Sequence, residues 1–459
     1  MSRQLLPWGS YSGFAGLSST TKFNIPGGGS WYSVSIDQET IIVPCAGTLR
    51  NFYVHTNVAM GAAKNGTYTL MVNGSASALA ITLNGASQQD ASDTNTQVTV
   101  AAGDRISIQY STSAAPATHT PQGSIEFESS NSGDSFHGGS SAAVMGAGTT
   151  TTQALCGPDS STFGQGSFID GSHHSLVATP GTITALYARI DGTLTSGSYV
   201  LNLVKNGTVQ DGSGGTQTTT VTLQSGAQTA HATFSLSCVA GDDIQLKCVA
   251  TAPSTSRRVQ FGVCFNATTP GLFNICTSAG LGPSTSAVNA TQPNTCGDNG
   301  VAAAGWGSPV AGGLAVSGIN QLKITSLYAL ASAAPGGAGK SWQLQLRKST
   351  SLGSSSGTDQ ASSSQTISNA ATTAGGSFTA ITIDTALNSN GFQTSCTPAS
   401  TPAAAIISVA FEAQLVVSTN HGKSQAGNHK GGGGAVTTIE PGGTIYINIG
   451  NAGQSSQSN

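Results

Sequence analysis

Three kinds of side chain in this sequence have chemistry beyond packing: eight cysteines, eight histidines and nineteen acidic residues. The cysteines are Cys45, Cys156, Cys238, Cys248, Cys264, Cys276, Cys296 and Cys396. Thiols of this kind serve as metal ligands, nucleophiles or disulfide partners. None forms a Cys-x-x-Cys pair, and none stands beside a histidine at zinc-ligand spacing. The reading is small, buried, reduced apolar side chains, with the even count leaving disulfides open. His173-His174, with His137, are candidates for a metal site. Adjacent residues on a strand point to opposite faces, however, so both cannot easily hold one ion. His421 and His429 flank a Gly-rich stretch and would come together at an oligomer axis.

Glycosidase chemistry needs two carboxylates across a cleft. Glu126 with Glu128, and Asp242 with Asp243, are the pairs on offer, and both read better as strand-surface and turn residues. Asp-Gly at 191–192 and 211–212 reads as turn, because EF-hand spacing is absent. There is no G-x-S-x-G elbow, H-E-x-x-H or phosphate loop. The expectation is therefore a protein without catalytic residues, metal ligands or cofactor-binding residues: no cofactor, and not an enzyme.

Composition narrows the class further. Only 8% of residues are charged, the net charge is −3, and Gly contributes 60 of 459 positions. Sixteen Lys and Arg without a dense cluster argue against a nucleic-acid partner; Arg257-Arg258 reads as a solvated loop or strand end. No apolar run approaches the ~18 residues that span a bilayer, so no membrane insertion is expected. The start, from Met1 to Gly9, breaks at Pro7 and lacks a signal-peptide core, which points to synthesis in the cytosol. Short alternating apolar runs, with abundant Thr and Val, favour strands over helices.

Positioning of any site falls to a repeat. Leu49 to Tyr53 is matched by Ile183 to Tyr187 and Ile324 to Tyr328. Tyr68 to Gly74 is matched by Tyr199 to Gly207 and Trp342 to Lys348. Val98 to Tyr110 is matched by Leu236 to Cys248 and, loosely, by Ile381 to Cys396. Ser124 to Phe127 is matched by Gly262 to Phe265 and Ser408 to Phe411. A period of this length is a whole domain rather than a solenoid turn. Asn73-Gly74 and Asn206-Gly207 are hairpin signals, and Ala-Gly-Asp at 102–104 and 240–242 is a second turn. The third copy lacks both. The predicted fold is all-β: three tandem antiparallel β-sandwich (jelly-roll-like) domains with short extended termini. The expected boundaries are an N-terminal interaction segment 1–25, sandwiches 26–133, 134–272 and 273–416, and a Gly-rich C-terminal segment 417–459.

The order Tyr68 to Gly74, Val98 to Tyr110, then Ile125 to Phe127 resembles jelly-roll modules of bacteriophage virion proteins. The resemblance spans roughly residues 26–416 and is weakest in the third copy. Gly431 to Gly453 is similar to glycine-rich modules of phage tail fibre proteins. These resemblances imply a non-enzymatic structural protein of a bacteriophage particle, located in the virion after assembly in the host cytoplasm. Tail fibre or spike and head decoration both fit. The implied partners are other virion proteins and further copies of the chain, in a trimer, with a host-surface glycan as a further partner. A secreted or surface-displayed adhesin is the alternative of another class, and a carbohydrate-active enzyme is the third.

Five residues are the interaction candidates. Ile445, Ile447 and Ile449 share one strand face that the Gly-rich end cannot bury by itself. Trp8 and Phe14 lie ahead of the first sandwich; Trp8 is read as docking either on a neighbouring subunit or on its own first domain.

Overall fold

The computed structural model describes residues 2–417 except 10–21, 25–35, 37–39, 113, 120, 142–143, 156–173, 278–282, 292–313, 316–319, 350–356 and 384–390. Met1–Val416 is one unit and Val417–Asn459 another. The described chain is all-β, built of antiparallel sheets of four to six strands, with helix confined to short 3-10 turns such as Ser213–Gly215 and Ala361–Ser363. No sheet is closed into a barrel among the described residues.

The sheets fall into three pairs that repeat one strand order. In the second pair eight stations follow along the chain. They are Asp134–Ser140, then Thr150–Ala154 with Ser175–Leu176, Gly181–Ile190 and Ser198–Lys205. Thr208–Val209 with Val221–Gln224, Thr229–Cys238, Asp243–Thr251 and Val259–Ala267 complete the set. Stations 1-8-3-6 form one sheet and stations 2-7-4-5 the other. The first pair runs from Arg3–Gly9 to Pro121–Ser129 and the third from Leu272–Thr277 to Ile407–Val417, both in the same order.

Alternation places the cores. Asn65–Val72 buries Gly66, Tyr68 and Leu70 and leaves the residues between them partly exposed. Leu6, Leu49, Phe52, Ile125 and Phe127 of one sheet meet Tyr68, Leu70, Ile81, Ile106 and Tyr110 of the other in a single core, as sandwich-like packing requires. Burying each such side chain contributes about 1.5–3 kcal/mol.

The N-terminal segment needs correction. Two stretches of the expected segment 1–25, Arg3–Gly9 and Lys22–Asn24, do not stand outside the repeat. Arg3–Gly9 pairs in register with Pro121–Ser129, and Lys22–Asn24 pairs with Arg105–Ser111, so they are stations 1 and 2 of the first pair. The pattern was hidden because Arg3–Gly9 contains Pro7 and is separated from Pro121–Ser129 by the whole first copy. Trp8 is 3% exposed and stacks obliquely on Phe52 and Tyr68, with ring centroids 5.5 and 5.6 Å away. Of its two expected dockings, the one on its own first domain is the one seen. Phe14, Ile445, Ile447 and Ile449 lie outside the described residues, as do His421 and His429.

The pairs interlock cyclically. Ile41–Ile42 of the first packs on Asp134–Ser140, Gly181–Ile190 and Val259–Ala267 of the second. Ser175–Leu176 of the second packs on Leu272–Thr277 and Asn320–Ala331 of the third. Leu314–Ala315 of the third packs on Pro121–Ser129 of the first. Station 1 locks each seam. Phe136 sits in the first core, and its equivalent Leu5 sits in the third core beside Phe273 and Ile275. The third equivalent, Cys276, packs with Ala154, Leu176 and Ala178 of the second pair. These residues oppose Cys264, Glu126 and Ala410, each one position before the repeated phenylalanine.

Candidate functional site

The seams concentrate the buried polar chemistry. Gln4 donates Nε2–H to Phe136 O at 2.7 Å and accepts Phe136 N–H at 2.8 Å, so its buried amide is satisfied by the neighbouring pair's backbone. The Ser2 hydroxyl accepts N–H bonds from Gly133 and Gly271, the last residues of the two linkers between pairs. One side chain thereby joins the starts of all three pairs. At the second seam Asn274 Oδ1 accepts the Ala178 and Thr179 N–H groups at 2.8 and 2.9 Å. At the first seam Gly262 is required by close approach: a Cβ there would fall 1.9 Å from Ile42 O.

The two repeated turns are one device. Asn73 has φ +52, donates Nδ2–H to Asp104 at 2.7 Å and accepts Arg105 N–H at 2.9 Å. Asp104 also accepts Ala101 N–H at 2.7 Å. Asn206, with φ +50, repeats this with Asp242 at 2.7 Å and Asp243 N–H at 2.9 Å, and Asp242 accepts Val239 N–H. The glycine of each second turn then lies against the landmark tyrosine of the next pair: Gly103 under Tyr187 and Gly241 under Tyr328.

Both carboxylate pairs are held by ion pairs and hydrogen bonds. Burial alone would raise the Asp242 carboxyl, but the Val239 N–H, Lys205 and Asn206 hold it below its usual range. Asp243 meets His174 Nδ1 at 2.6 Å. Glu126 is 2% exposed; Arg50 reaches it at 3.1 Å, Arg3 at 3.3 Å and Asn51 at 2.7 Å. Glu128 shares both arginines. Arg258 pairs with Asp191 at 3.3 Å, and the Arg257 guanidinium donates to Thr193 O at 3.0 Å. In the first pair Asp90 gathers Tyr53 at 2.6 Å and His55 at 2.8 Å.

Among the described residues, no histidine belongs to a group of three metal-ligating side chains. His174 is held by Asp243, while His173 lies outside the described residues. His137 keeps part of its surface exposed, yet desolvation by the protein packed round it pushes its imidazole down to about 4. It lines a cavity of about 20 Å3 with Ser175, Asn274 and Cys276, room for about one water.

Six cysteines are described, and all six are buried. Burial pushes Cys276 up to about 12 and raises Cys248 and Cys396. Cys156 and Cys296 lie outside the described residues. One grouping was invisible to spacing rules: Cys45, Asp134 and Cys264 bring their ligand atoms within 4.8 Å of one another at the first seam. They come from three elements far apart in sequence, so only the tertiary seam assembles them. The Cys45 thiol is raised well above its usual value, first by its hydrogen bond with Cys264 and then by burial.

No family model and no curated protein matches the chain. The site's meaning therefore rests on its own geometry.

Proposed function

We propose that the chain is a non-enzymatic structural component of a bacteriophage particle, whose three sheet pairs are tandem jelly rolls acting as one pre-assembled block. The order 1-8-3-6 over 2-7-4-5 supports the jelly-roll reading, since two interleaved Greek keys generate it. The observation that carries the structural role is the cyclic interlock: Phe136, Leu5 and Cys276 each enter a neighbouring pair. An arrangement in which three similar units close on one another suits a building block that meets a threefold-related environment. The few charges, with most of the acidic residues described above held in turns and ion pairs, suit packed contact over charge steering.

Association with other virion proteins and with further copies of the chain is assigned to the Gly-rich end around Ile445, Ile447 and Ile449. Ordering about twenty residues costs roughly 1–2 kcal/mol each, more than three buried isoleucines return at about 1.5–3 kcal/mol each. The test is incorporation. Purified particles from a host producing the full chain should contain it by mass spectrometry. A chain truncated after 416 should keep its β circular dichroism but be depleted from particles and fail to form trimers in light scattering. Full-length protein that stays monomeric and particle-free would overturn the proposal.

A further inference from the structure

We propose that Cys45, Asp134 and Cys264 form a structural site for a borderline-to-soft d10 dication, zinc(II) or cadmium(II), that clips the first sheet pair to the second. Two sulfurs and a carboxylate oxygen within 4.8 Å are the donor set such cations select. Bond lengths of about 2.3 Å to sulfur and about 2.0–2.2 Å to oxygen put tetrahedral ligand atoms roughly 3.5–3.8 Å apart. Closing the cluster on an ion takes a contraction of at most about 1.3 Å.

Independent observations point to a cation. Asp134 is 7% exposed, and its carboxylate accepts from Asn131 Nδ2 at 3.1 Å and Asn266 Nδ2 at 2.8 Å. Both partners are neutral amides. Among the described residues no Lys, Arg or His stands within ion-pair distance of Asp134, whereas buried Glu126 at the corresponding seam has two arginines. A buried carboxylate without a cation beside it is unfavourable, and a bound metal places a cation directly against the carboxylate. The two amides then act as outer-shell groups that orient the carboxylate.

The sister seam sharpens the contrast. Val43 and Val177 make equivalent backbone bonds to Asp104 and Asp242, which aligns Cys45 with Thr179. Strand register aligns Asp134 with Asn274 and Cys264 with Ala410. There Asn274 closes the seam through backbone N–H groups. All three positions thus change from neutral, non-ligating residues to ligands at one seam.

Binding a divalent ion converts two thiols to thiolates and releases two protons. Together with the ionised carboxylate they leave the centre with one net negative charge. A fourth position is open to a water in the zinc case.

The test uses reduced, chelator-stripped full-length protein titrated with cobalt(II), then zinc(II) in competition with a chromophoric chelator. One equivalent should bind, with a thiolate-to-cobalt charge-transfer band, two protons released and an unfolding temperature raised by several degrees. The variant Cys45→Thr/Asp134→Asn/Cys264→Ala, which installs the sister seam's residues, should fold and lose the band and the thermal shift. Cys276→Ala should keep both. If the triple variant fails to fold, Asp134→Asn alone should weaken zinc binding at least tenfold. Absence of the band in the wild-type protein, its survival in the triple variant, unchanged affinity in Asp134→Asn, or a metal-insensitive Cys45–Cys264 disulfide would each overturn the proposal.

Discussion

Asp90 shows how one residue couples the fold to pH. Burial by itself raises its carboxyl, but hydrogen bonds from His55 and Tyr53 outweigh burial and hold it below the ordinary carboxylate range. A depressed folded pKa contributes stability that is present above the unfolded value of about 3.9 and is lost as pH falls through the folded one. Asp90→Asn is therefore expected to cost about 1–3 kcal/mol at pH 7. The gap from wild type should shrink below about pH 4, as read by urea unfolding at several pH values. A constant gap across that range would contradict the linkage. Gly262 makes a different single-residue prediction. Its Cβ would collide with Ile42 O, so Gly262→Ala should destabilise by about 1–3 kcal/mol, and protease should cut between the first and second pairs sooner. Neither role was visible in sequence. A glycine inside Gly-Val-Cys-Phe looks like any other until the partner backbone arrives. His55, Asp90 and Tyr53 meet only because Asp90–Asp93 pairs beside Gly47–Thr56.

Elements carry the repeat through paired turns. Asn206 bridges its own hairpin to the Ala-Gly-Asp turn by two hydrogen bonds, so Asn206→Ala removes both and leaves Asp242 one donor short. A loss of about 1–3 kcal/mol is expected, with faster amide exchange at Val239 and Asp243. Unchanged exchange would show that the turns are independent. The third copy lacks both motifs together, as expected of two turns that share one hydrogen-bonded device. Here the sequence was legible, because Asn-Gly at positive φ and Gly at the second turn are local demands of backbone sterics. Arg3–Gly9 was not legible as a strand of the first sandwich. Its partner lies across the whole first copy, and Trp8 could dock at home or abroad until Phe52 and Tyr68 were placed beside it.

At the scale of the whole molecule, the N-terminal strand ties the ring shut. Leu5 enters the third core, Gln4 holds Phe136 of the second pair, and Ser2 caps both linkers. Deleting residues 1–9 should therefore destabilise more than the first pair alone. In calorimetry the third pair should melt earlier than it does in the full chain. A deletion that left the third pair's transition unmoved would refute the closed arrangement. By itself the sequence determined the all-β class, the landmarks of a threefold repeat and its turn chemistry, because alternation, Asn-Gly and Ala-Gly-Asp act over a few residues. Tertiary structure alone decided which strands pair across a hundred residues and which station enters a neighbour's core. It alone gathered Cys45, Asp134 and Cys264 at one seam. Those outcomes depend on how three similar surfaces fit one another, and shape complementarity between distant segments leaves no periodic trace in the chain.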